Sequence, residues 1–436
     1  MPKVQEIAAK KVLGEFDYSV SFQHNRTEHD RSERQLDSIR AIYGENGTGK
    51  TKFLNAIHDI FTLKHPNLVS LAEAEMEFLE VATDIGAAKF FKDLSDGNPA
   101  GHIVVTDHKN PNAFEFEWEV SDSGTLIFAE DDYLDLQSAA RRVLGTAIYV
   151  RDDRVFNARL AEQSLRDLTM QFPLPPSMRR KMLSDAGIEP LSDLMNRLED
   201  QFNRKILDIT TGQQNGDEVF SALAKRVVGA GEDLRASEAR EEIEDSIHRI
   251  LRDGGPLENM KMIQLDSVRD IRNMIEEMRQ NDRNFPVLLS ILELHFNSIH
   301  KRIESLDPIR NEIEVFLGTA NGFLRRKQFT FDSDDGLSLV GRTETLDDYS
   351  MLSSGERHLL TLLAQVTLAD PDTTLIVVDE PEISLGLDWQ RQILPALMTV
   401  RPNDEIRLLV ASHSMQVTSE LPLENIINPQ LRNELV

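Results

Sequence analysis

The feature that most constrains the fold is a glycine-rich segment, Gly44-Glu45-Asn46-Gly47-Thr48-Gly49-Lys50-Thr51, directly after the apolar residues Ala41-Ile42-Tyr43. Its spacing fits G-x-x-x-x-G-K-[ST], the pattern of a loop that turns a strand into a helix and wraps a phosphate with backbone N–H groups. We expect Lys50 to reach the β- and γ-phosphate oxygens and the Thr51 hydroxyl to bind Mg²⁺. Glycine-rich loops also form plain turns. The residues predicted to bind nucleotide here are Gly44, Asn46, Gly47, Thr48, Gly49, Lys50 and Thr51, and Lys50 is also predicted to be catalytic.

A second informative segment is the apolar run Leu375-Ile376-Val377-Val378, which ends in the acidic pair Asp379-Glu380. Such a run predicts a buried strand with carboxylates at its carboxyl end. We expect Asp379 to hold Mg²⁺ from its outer coordination shell, and the catalytic Glu380 to orient or deprotonate a water molecule. The structural alternative is a buried strand that ends in a solvated turn.

Two further segments complete an ordered set along the chain. Leu352-Ser353-Ser354-Gly355-Glu356, here called the signature segment, precedes the Asp-Glu strand, and the apolar run Leu408-Leu409-Val410-Ala411 leads into Ser412-His413-Ser414. With this order the sequence resembles the ATP-binding-cassette (ABC) ATPases. The resemblance covers roughly residues 1–157 and 327–420. It implies an α/β fold with ATP and Mg²⁺ as cofactors.

The resemblance also implies roles for four more residues. Ser353 and Gly355 would contact the γ-phosphate held by the opposite subunit, so each site would combine two chains. His413 would bond the γ-phosphate as a catalytic residue, and Ser384 would contact nucleotide from a loop that crosses the dimer interface. The structural alternatives are that Ser353 is an ordinary helix N-cap and that His413 is a structural residue at a strand end.

Composition narrows the class of protein further. The chain has 436 residues and no cysteine, which excludes disulfides, thiolate metal sites and cysteine nucleophiles. Its beginning lacks an apolar signal core, and no window approaches 18 uninterrupted apolar residues, so we expect a cytoplasmic protein without a membrane partner. The formal net charge of −26 opposes nonspecific attraction to nucleic acid. Nucleic-acid binding is therefore possible but not favoured.

The chain is predicted to be an α/β protein: an ABC-type P-loop ATPase lobe with a small antiparallel β-subdomain and a large helical insert. Residues 1–157 and 327–436 would form the two halves of the lobe, and residues 158–326 the insert. Alternation of Phe114, Phe116, Trp118 and Val120 with glutamates predicts the antiparallel strands. A metal-contacting glutamine is not assigned, and the nearby glutamines are Gln137, Gln163 and Gln171.

Glycine and proline clusters predict breaks between the helices of the insert and argue against a long coiled coil. The predicted breaks are Pro173-Leu174-Pro175-Pro176, Gly212 to Gly216, Gly229 to Gly231 and Gly254-Gly255-Pro256.

Within the ABC group the sequence resembles stand-alone bacterial ATPases of anti-phage defence, such as the PARIS, Septu and retron-associated subunits. This implies an ATP-hydrolysing sensor or scaffold that forms a homodimer, or a higher oligomer of ATP-sandwich dimers, and controls an effector nuclease in response to a phage trigger protein. One alternative is a DNA-repair or chromosome-type (SMC- or RecF-like) ATPase that clamps DNA. The energising subunit of a membrane transporter is a third, less favoured hypothesis.

Overall fold

The computed structural model describes residues 1–22, 36–93, 99–121, 123, 125–128, 130–151, 191–212, 236–277, 285–341, 345–346, 349–403 and 405–431. The chain divides into two compact units. The first contains Met1–Leu194 and Leu352–Val436, and the second contains Met195–Met351.

The described strands and helices are numbered here in chain order. The strands are β1 (Val4–Val12), β2 (Phe16–Ser21), β3 (Ile39–Tyr43), β4 (Phe78–Thr83), β5 (Gly86–Asp93), β6 (Ala100–Asp107), β7 (Asn110–Val120), β8 (Leu126–Ile127), β9 (Thr146–Val150), β10 (Gln328–Asp332), β11 (Gly336–Val340), β12 (Thr345–Leu346), β13 (Thr373–Asp379), β14 (Arg407–Ser412), β15 (Ile426–Ile427) and β16 (Gln430–Leu431). The helices are α1 (Lys50–Thr62), α2 (His65–Glu73), α3 (Glu130–Leu144), α4 (Leu191–Gly212), α5 (Ala236–Asn259), α6 (Asp266–Glu277), α7 (Phe285–Phe323), α8 (Ser354–Thr367), α9 (Leu387–Val400) and α10 (Met415–Thr418).

A five-stranded sheet in the first unit has the order β15-β3-β14-β13-β9, and all its strand pairs are parallel. Every residue of β13 is buried, which explains the uninterrupted apolar run before Asp379. The strand that precedes the glycine-rich loop, β3, pairs with β14, which in turn pairs with β13. The carboxyl ends of these three strands therefore lie side by side.

The other sheet of the first unit has eight strands in the order β16-β2-β1-β4-β5-β6-β7-β8. The predicted alternation is confirmed, because Phe116, Trp118 and Val120 are buried while the intervening glutamates are exposed. The sheet is larger than the predicted small subdomain, since β1 and β2 at the start of the chain join it and β1 pairs with β4.

Helix α1 packs between the two sheets and makes one core with both. Phe53, Leu54 and Ile57 of α1 belong to a single buried cluster that includes Phe90 of the antiparallel sheet and Leu409 of the parallel sheet. Full burial of each such side chain stabilises the fold by roughly 1.5–3 kcal/mol. Burial in this core therefore anchors α1, including its first turn next to the glycine-rich loop.

The second unit combines helices with the three-stranded antiparallel sheet β10-β11-β12. Phe202 of α4 meets Phe331 of β10 edge to face at 5.9 Å between ring centroids. Asn321 of α7 accepts from Phe329 N and donates to Phe329 O at 2.7 and 2.9 Å. Because these contacts join β10 to helices, the second unit continues past the predicted boundary at residue 326/327. The other predicted boundary, at 157/158, lies outside the described residues.

One predicted helix break is wrong. Gly254-Gly255-Pro256 lies inside α5 rather than between two helices. A Cβ on Gly254 would lie 2.9 Å from Leu265 Cδ1, so this glycine allows close packing of the segment after α5. Tertiary packing therefore outweighs the weak helix propensity of the three residues. The other predicted breaks fall on residues outside the described ranges, apart from Gly212, where α4 ends.

These features confirm the predicted α/β class with a P-loop between a parallel strand and a helix. None of the helices among the described residues has the length and apolar character that crossing a membrane requires.

Candidate active site

The predicted catalytic segments meet at one edge of the parallel sheet. Tyr43 at the end of β3 is in register with Ser412 at the end of β14, and Ala411 is in register with Asp379 at the end of β13. The phosphate loop (Gly44–Thr51) and His413 directly follow two of these strand ends. Ligands of open parallel sheets bind outside the carboxyl ends of the strands, so this edge is the candidate site.

The phosphate loop presents an uncapped helix N-terminus. Helix α1 begins at Lys50, its N-cap residue Gly49 has a φ of 86°, and no side chain caps it and no acidic residue lies in its first turn. A side chain at Gly49 would be strained at this φ, and its Cβ would lie 2.8 Å from Val12 Cγ1. The free N–H groups and the helix dipole of such a terminus favour an anion.

Lys50 is buried, with 6 % of its surface exposed. Its Nζ atom donates to the carbonyl oxygens of Gly44 at 2.7 Å and Glu45 at 3.0 Å. These bonds hold the ammonium group within the loop, where a phosphate would meet it. Thr48 Oγ1 donates to the carbonyl oxygen of Glu45 at 3.0 Å, and Asn46, Gly47 and Thr51 lie in the same turn or directly after it.

Tyr18, which sequence reasoning missed, supports the loop from β2. Its hydroxyl donates to the carbonyl oxygen of Thr48 at 2.7 Å, and its ring stacks on Phe53 with centroids 4.4 Å apart. Burial raises the pKa of Tyr18 to about 12, so the hydroxyl keeps its proton and remains a donor. No short sequence pattern points to this residue, because the contact joins segments 30 residues apart.

Glu380, Glu382 and His413 form a compact group, here called the carboxylate–histidine cluster. His413 Nδ1 is paired with Glu380 Oε2 and lies 3.2 Å from Glu382 Oε1. Glu382 Oε1 also accepts from Ser412 Oγ at 2.6 Å, His413 N at 2.9 Å and Ser414 N at 3.0 Å. Sequence reasoning assigned roles to Glu380 and His413 but missed Glu382, although a second carboxylate two residues after Glu380 was a visible signal.

Glu380 has an unusual environment and backbone. The pKa of Glu380 is raised to about 7, first by burial and then by the charge of Glu382 and a hydrogen bond with it. The pairing with His413 acts in the opposite direction and lowers the pKa. Its φ of 49° lies in the left-handed region, which non-glycine residues rarely adopt. Strained backbone and perturbed carboxylates are both concentrated at functional sites.

Asp379 is buried beside the cluster, and Tyr149 of β9 donates to its Oδ2 at 3.3 Å. Asp379 and Thr51, the last residue of the phosphate loop, are the predicted Mg²⁺ pair. The ligand atoms of Glu380, Glu382 and His413 also lie within 4.8 Å of one another, a spacing that suits a cation. Oxygen donors and an uncapped helix N-terminus at one sheet edge fit a nucleotide with a hard divalent cation.

The signature segment opens α8. Ser353 is the N-cap: its Oγ accepts from Glu356 N at 3.2 Å, and its own N donates to Glu356 Oε2 at 2.6 Å, a capping box. Ser353 is therefore a helix N-cap, which was the structural alternative for this residue. The two roles are compatible, since an Oγ that accepts still has a proton to donate.

Gly355, two residues after Ser353, meets the loop after the carboxylate–histidine cluster. A Cβ on Gly355 would lie 2.6 Å from the carbonyl oxygen of Ser384. Ser384 is exposed and has a φ of 62°. The structure thus brings two predicted interface residues together within one chain.

Of the three glutamines considered for the metal, only Gln137 lies within the described residues. Its Nε2 donates to the carbonyl oxygen of Leu63 and to the Tyr133 hydroxyl, both at 3.0 Å. These bonds tie the side chain to the end of α1 rather than to the phosphate loop.

Comparison with known proteins gives one family match. The family model described as "AAA domain, putative AbiEii toxin, Type IV TA system" matches residues 222–419. The matched range includes the signature segment, β13 and His413, and it excludes the phosphate loop. No curated protein matches the chain.

Two solved structures are similar over almost the whole chain. One is the SmcHead bound to the C-winged helix domain of ScpA, with 12 % identity, 98 % of each chain covered and a TM-score of 0.34. The other is the SMC head domain from Thermotoga maritima, with 10 % identity, 99 % of each chain covered and a TM-score of 0.33. Both TM-scores are low, so the fold assignment rests on the sheets and loops described above. Those features and the family match support an ABC-type P-loop ATPase.

Proposed function

We propose that this protein binds and hydrolyses ATP. The observation that carries the proposal is the position of Glu380 and His413 at the sheet edge where the phosphate loop also begins. In this arrangement the loop N–H groups and Lys50 bind the phosphates of ATP. Thr51 and Asp379 would hold Mg²⁺, which would neutralise charge on the phosphate oxygens.

Glu380 is the group proposed to activate water. It takes a proton from the attacking water as the water oxygen bonds to the γ-phosphorus and the bond to the bridging oxygen of ADP breaks. Nδ1 of His413 contacts the carboxylates of Glu380 and Glu382. Nε2 is therefore the ring nitrogen that can contact the γ-phosphate. The products are ADP and phosphate.

Two single substitutions test this reaction. Glu380→Gln should bind ATP with near-parental affinity but hydrolyse it about 100-fold or more slowly, because the proton acceptor is lost while the phosphate contacts remain. Lys50→Ala should weaken ATP binding itself. A matched control is Glu420→Gln, an exposed glutamate that follows α10. Parental phosphate release by Glu380→Gln would rule out the assigned role.

The wider role we propose is that of a sensor or scaffold subunit in an anti-phage defence system. ATP-bound chains would close into dimers and thereby control a partner effector nuclease. Support comes from the sequence resemblance to defence ATPases and from the toxin named in the description of the matching family. A plaque assay in cells that carry the chain with its neighbouring genes tests this, with Lys50→Ala expected to abolish protection. Equal protection by that variant would contradict the role.

The partner is proposed to dock on the second unit, Met195–Met351. A conformational change of the ATPase unit can affect a partner protein only through a surface that the partner contacts. Replacing residues 195–351 with a short linker should preserve nucleotide binding and abolish capture of the neighbouring nuclease in a pull-down. Undiminished capture would place docking on the ATPase unit instead.

A further inference from the structure

Glu382 is a buried carboxylate of the candidate active site. Only 6 % of its surface is exposed. Its Oε1 atom accepts from Ser412 Oγ at 2.6 Å, from His413 N at 2.9 Å and from Ser414 N at 3.0 Å. Three donors from consecutive residues thus converge on one oxygen atom.

This arrangement determines the shape of the turn that carries His413. Two of the three donors are backbone N–H groups, so the bonds fix the main chain and not only side chains. Hydrogen bonds to a charged acceptor are roughly twice as strong as neutral ones. Ser412 Oγ also accepts from Ser414 N at 2.9 Å, which closes the turn further.

Glu382 also reaches the ring of the same histidine. His413 Nδ1 lies 3.2 Å from Glu382 Oε1 and is paired with Glu380 Oε2. One carboxylate therefore restrains both the backbone and the imidazole of His413, on the side that faces Glu380. The His413 side chain is 54 % exposed, so packing against neighbouring residues does not hold the ring in place.

We propose that Glu382 is a positioning residue that fixes the turn Ser412-His413-Ser414 and thereby holds the His413 imidazole beside Glu380. This inference rests on the proposed ATPase function for its kinetic consequence. Its geometric part concerns the nucleotide-free chain alone. Glu382 acts through His413, because it contacts both the backbone N–H and the imidazole of that residue.

The kinetic test is a double-mutant cycle with His413 in the full-length chain. Glu382→Ala should lower kcat for ATP hydrolysis about tenfold or more and leave KM within about twofold, because the phosphate loop is untouched. In a His413→Ala background, Glu382→Ala should have little further effect. An equal loss of kcat in both backgrounds, or parental kcat in Glu382→Ala, would overturn the proposal, because a general structural defect does not depend on His413.

The second readout needs no nucleotide. Hydrogen–deuterium exchange of a peptide that spans residues 411–415 should accelerate about tenfold or more in Glu382→Ala, because His413 N and Ser414 N lose their acceptor. Glu382→Gln, which retains an amide oxygen as acceptor, should restore most of the protection and part of kcat. The exposed Glu420→Ala is the control and should match the parent. Unchanged exchange in Glu382→Ala would overturn the proposal.

Two provisions keep the test decisive. If Glu382→Ala does not fold, Ser412→Ala removes one donor at 2.6 Å from Glu382 and should produce a smaller acceleration of the same peptide. If the parent protein proves not to hydrolyse ATP, the proposed function fails, while the exchange experiment still decides whether Glu382 fixes the His413 turn.

Discussion

His358 Nε2 donates a hydrogen bond to the carbonyl oxygen of Pro381 across 3.2 Å. This bond joins α8, the helix opened by the signature segment, to the turn directly after Glu380. His358 is almost completely buried, with 1 % of its surface exposed. Burial lowers the pKa of His358 to about 4, against the opposing effects of the bond to Pro381 and the charge of Glu382. The imidazole is therefore neutral in the folded protein at neutral pH.

A neutral buried histidine makes folding pH-dependent. The pKa of His358 is lower in the folded chain than its ordinary value of 6.5, so the unfolded chain binds more protons below that pH. The contribution of the neutral His358 to the free energy of unfolding is fully present above about pH 6.5. It is lost as the pH falls toward about 4. Between about pH 7.5 and about pH 5.5, we expect the parent to lose about 1 kcal/mol more stability than His358→Gln.

Urea unfolding of both proteins at the two pH values measures this difference. Comparing the parent with the variant cancels the contributions of other titrating groups. An identical pH dependence in the two proteins would mean that His358 does not titrate as its burial requires.

The close approach of Gly355 to Ser384 gives a second prediction. Gly355→Ala would place a Cβ 2.6 Å from a backbone carbonyl oxygen, so the loop or the helix must move. We expect a loss of about 1–3 kcal/mol in stability, despite the better helix propensity of alanine. Gly318→Ala is the matched control: it lies inside α7, and its Cβ would have no atom within 4 Å apart from the neighbouring backbone of its own helix. Thermal unfolding should show a lower midpoint for the first variant only.

The hydrogen bond from Tyr18 to the phosphate loop gives a third prediction. Tyr133 serves as the control, because its hydroxyl also donates to a backbone carbonyl oxygen but away from the loop. Tyr18→Phe removes the bond to the Thr48 carbonyl but keeps the ring on Phe53. Removing one such bond costs about 1 kcal/mol, and here it should weaken ATP binding several-fold because the phosphate loop loosens. Tyr133→Phe removes a comparable bond to Leu63 O at 3.0 Å, together with the bond that Gln137 donates to the hydroxyl, and should leave ATP affinity unchanged.

Titration with a fluorescent ATP analogue measures both variants. Equal affinities for Tyr18→Phe and the parent would show that the loop does not depend on this support.

A fourth prediction separates the proposed role from a DNA clamp. The formal net charge is −26, so duplex DNA should bind weakly at physiological salt, with or without ATP. Fluorescence anisotropy with labelled duplex at several salt concentrations checks this. Tight binding that falls steeply with salt would favour the DNA-clamping alternative.

Short-range patterns predicted much of this site. The phosphate loop and the Asp379-Glu380 strand are contiguous segments whose chemistry is visible in a few residues. Their meeting at one sheet edge follows once the strands are parallel. The extent of the antiparallel sheet was not predictable in this way, because β1 and β4 pair across a long stretch of chain.

The role of Glu382 was hidden for a related reason. Its three donors come from a segment about 30 residues further along, and they meet only because β13 and β14 are neighbours. The break predicted at Gly254-Gly255-Pro256 failed since local propensity is weaker than packing on Leu265. Residues whose function depends on tertiary neighbours need the fold before they can be recognised.

The fifth prediction concerns assembly, because Ser353 and the phosphate loop are proposed to work in opposite subunits. In a two-fold dimer each site would use the loop of one chain and the signature segment of the other. Lys50→Ala inactivates a chain's own site, whereas Ser353→Arg inactivates the site on its partner. A dimer of the two variants therefore keeps one intact site, although each variant alone has none.

Mixing the two inactive variants in equal amounts should restore about a quarter of the parental ATPase rate, since about half of the dimers are mixed and each has one working site. The matched control is Lys50→Ala mixed with Glu380→Gln. Both of these changes affect the site on their own chain, so every dimer in that mixture lacks an intact site and no activity should return. Recovery in the first mixture but not in the second requires a composite site. If verified mixed dimers of Lys50→Ala and Ser353→Arg stay inactive, each chain must hold its nucleotide without the signature segment of its partner.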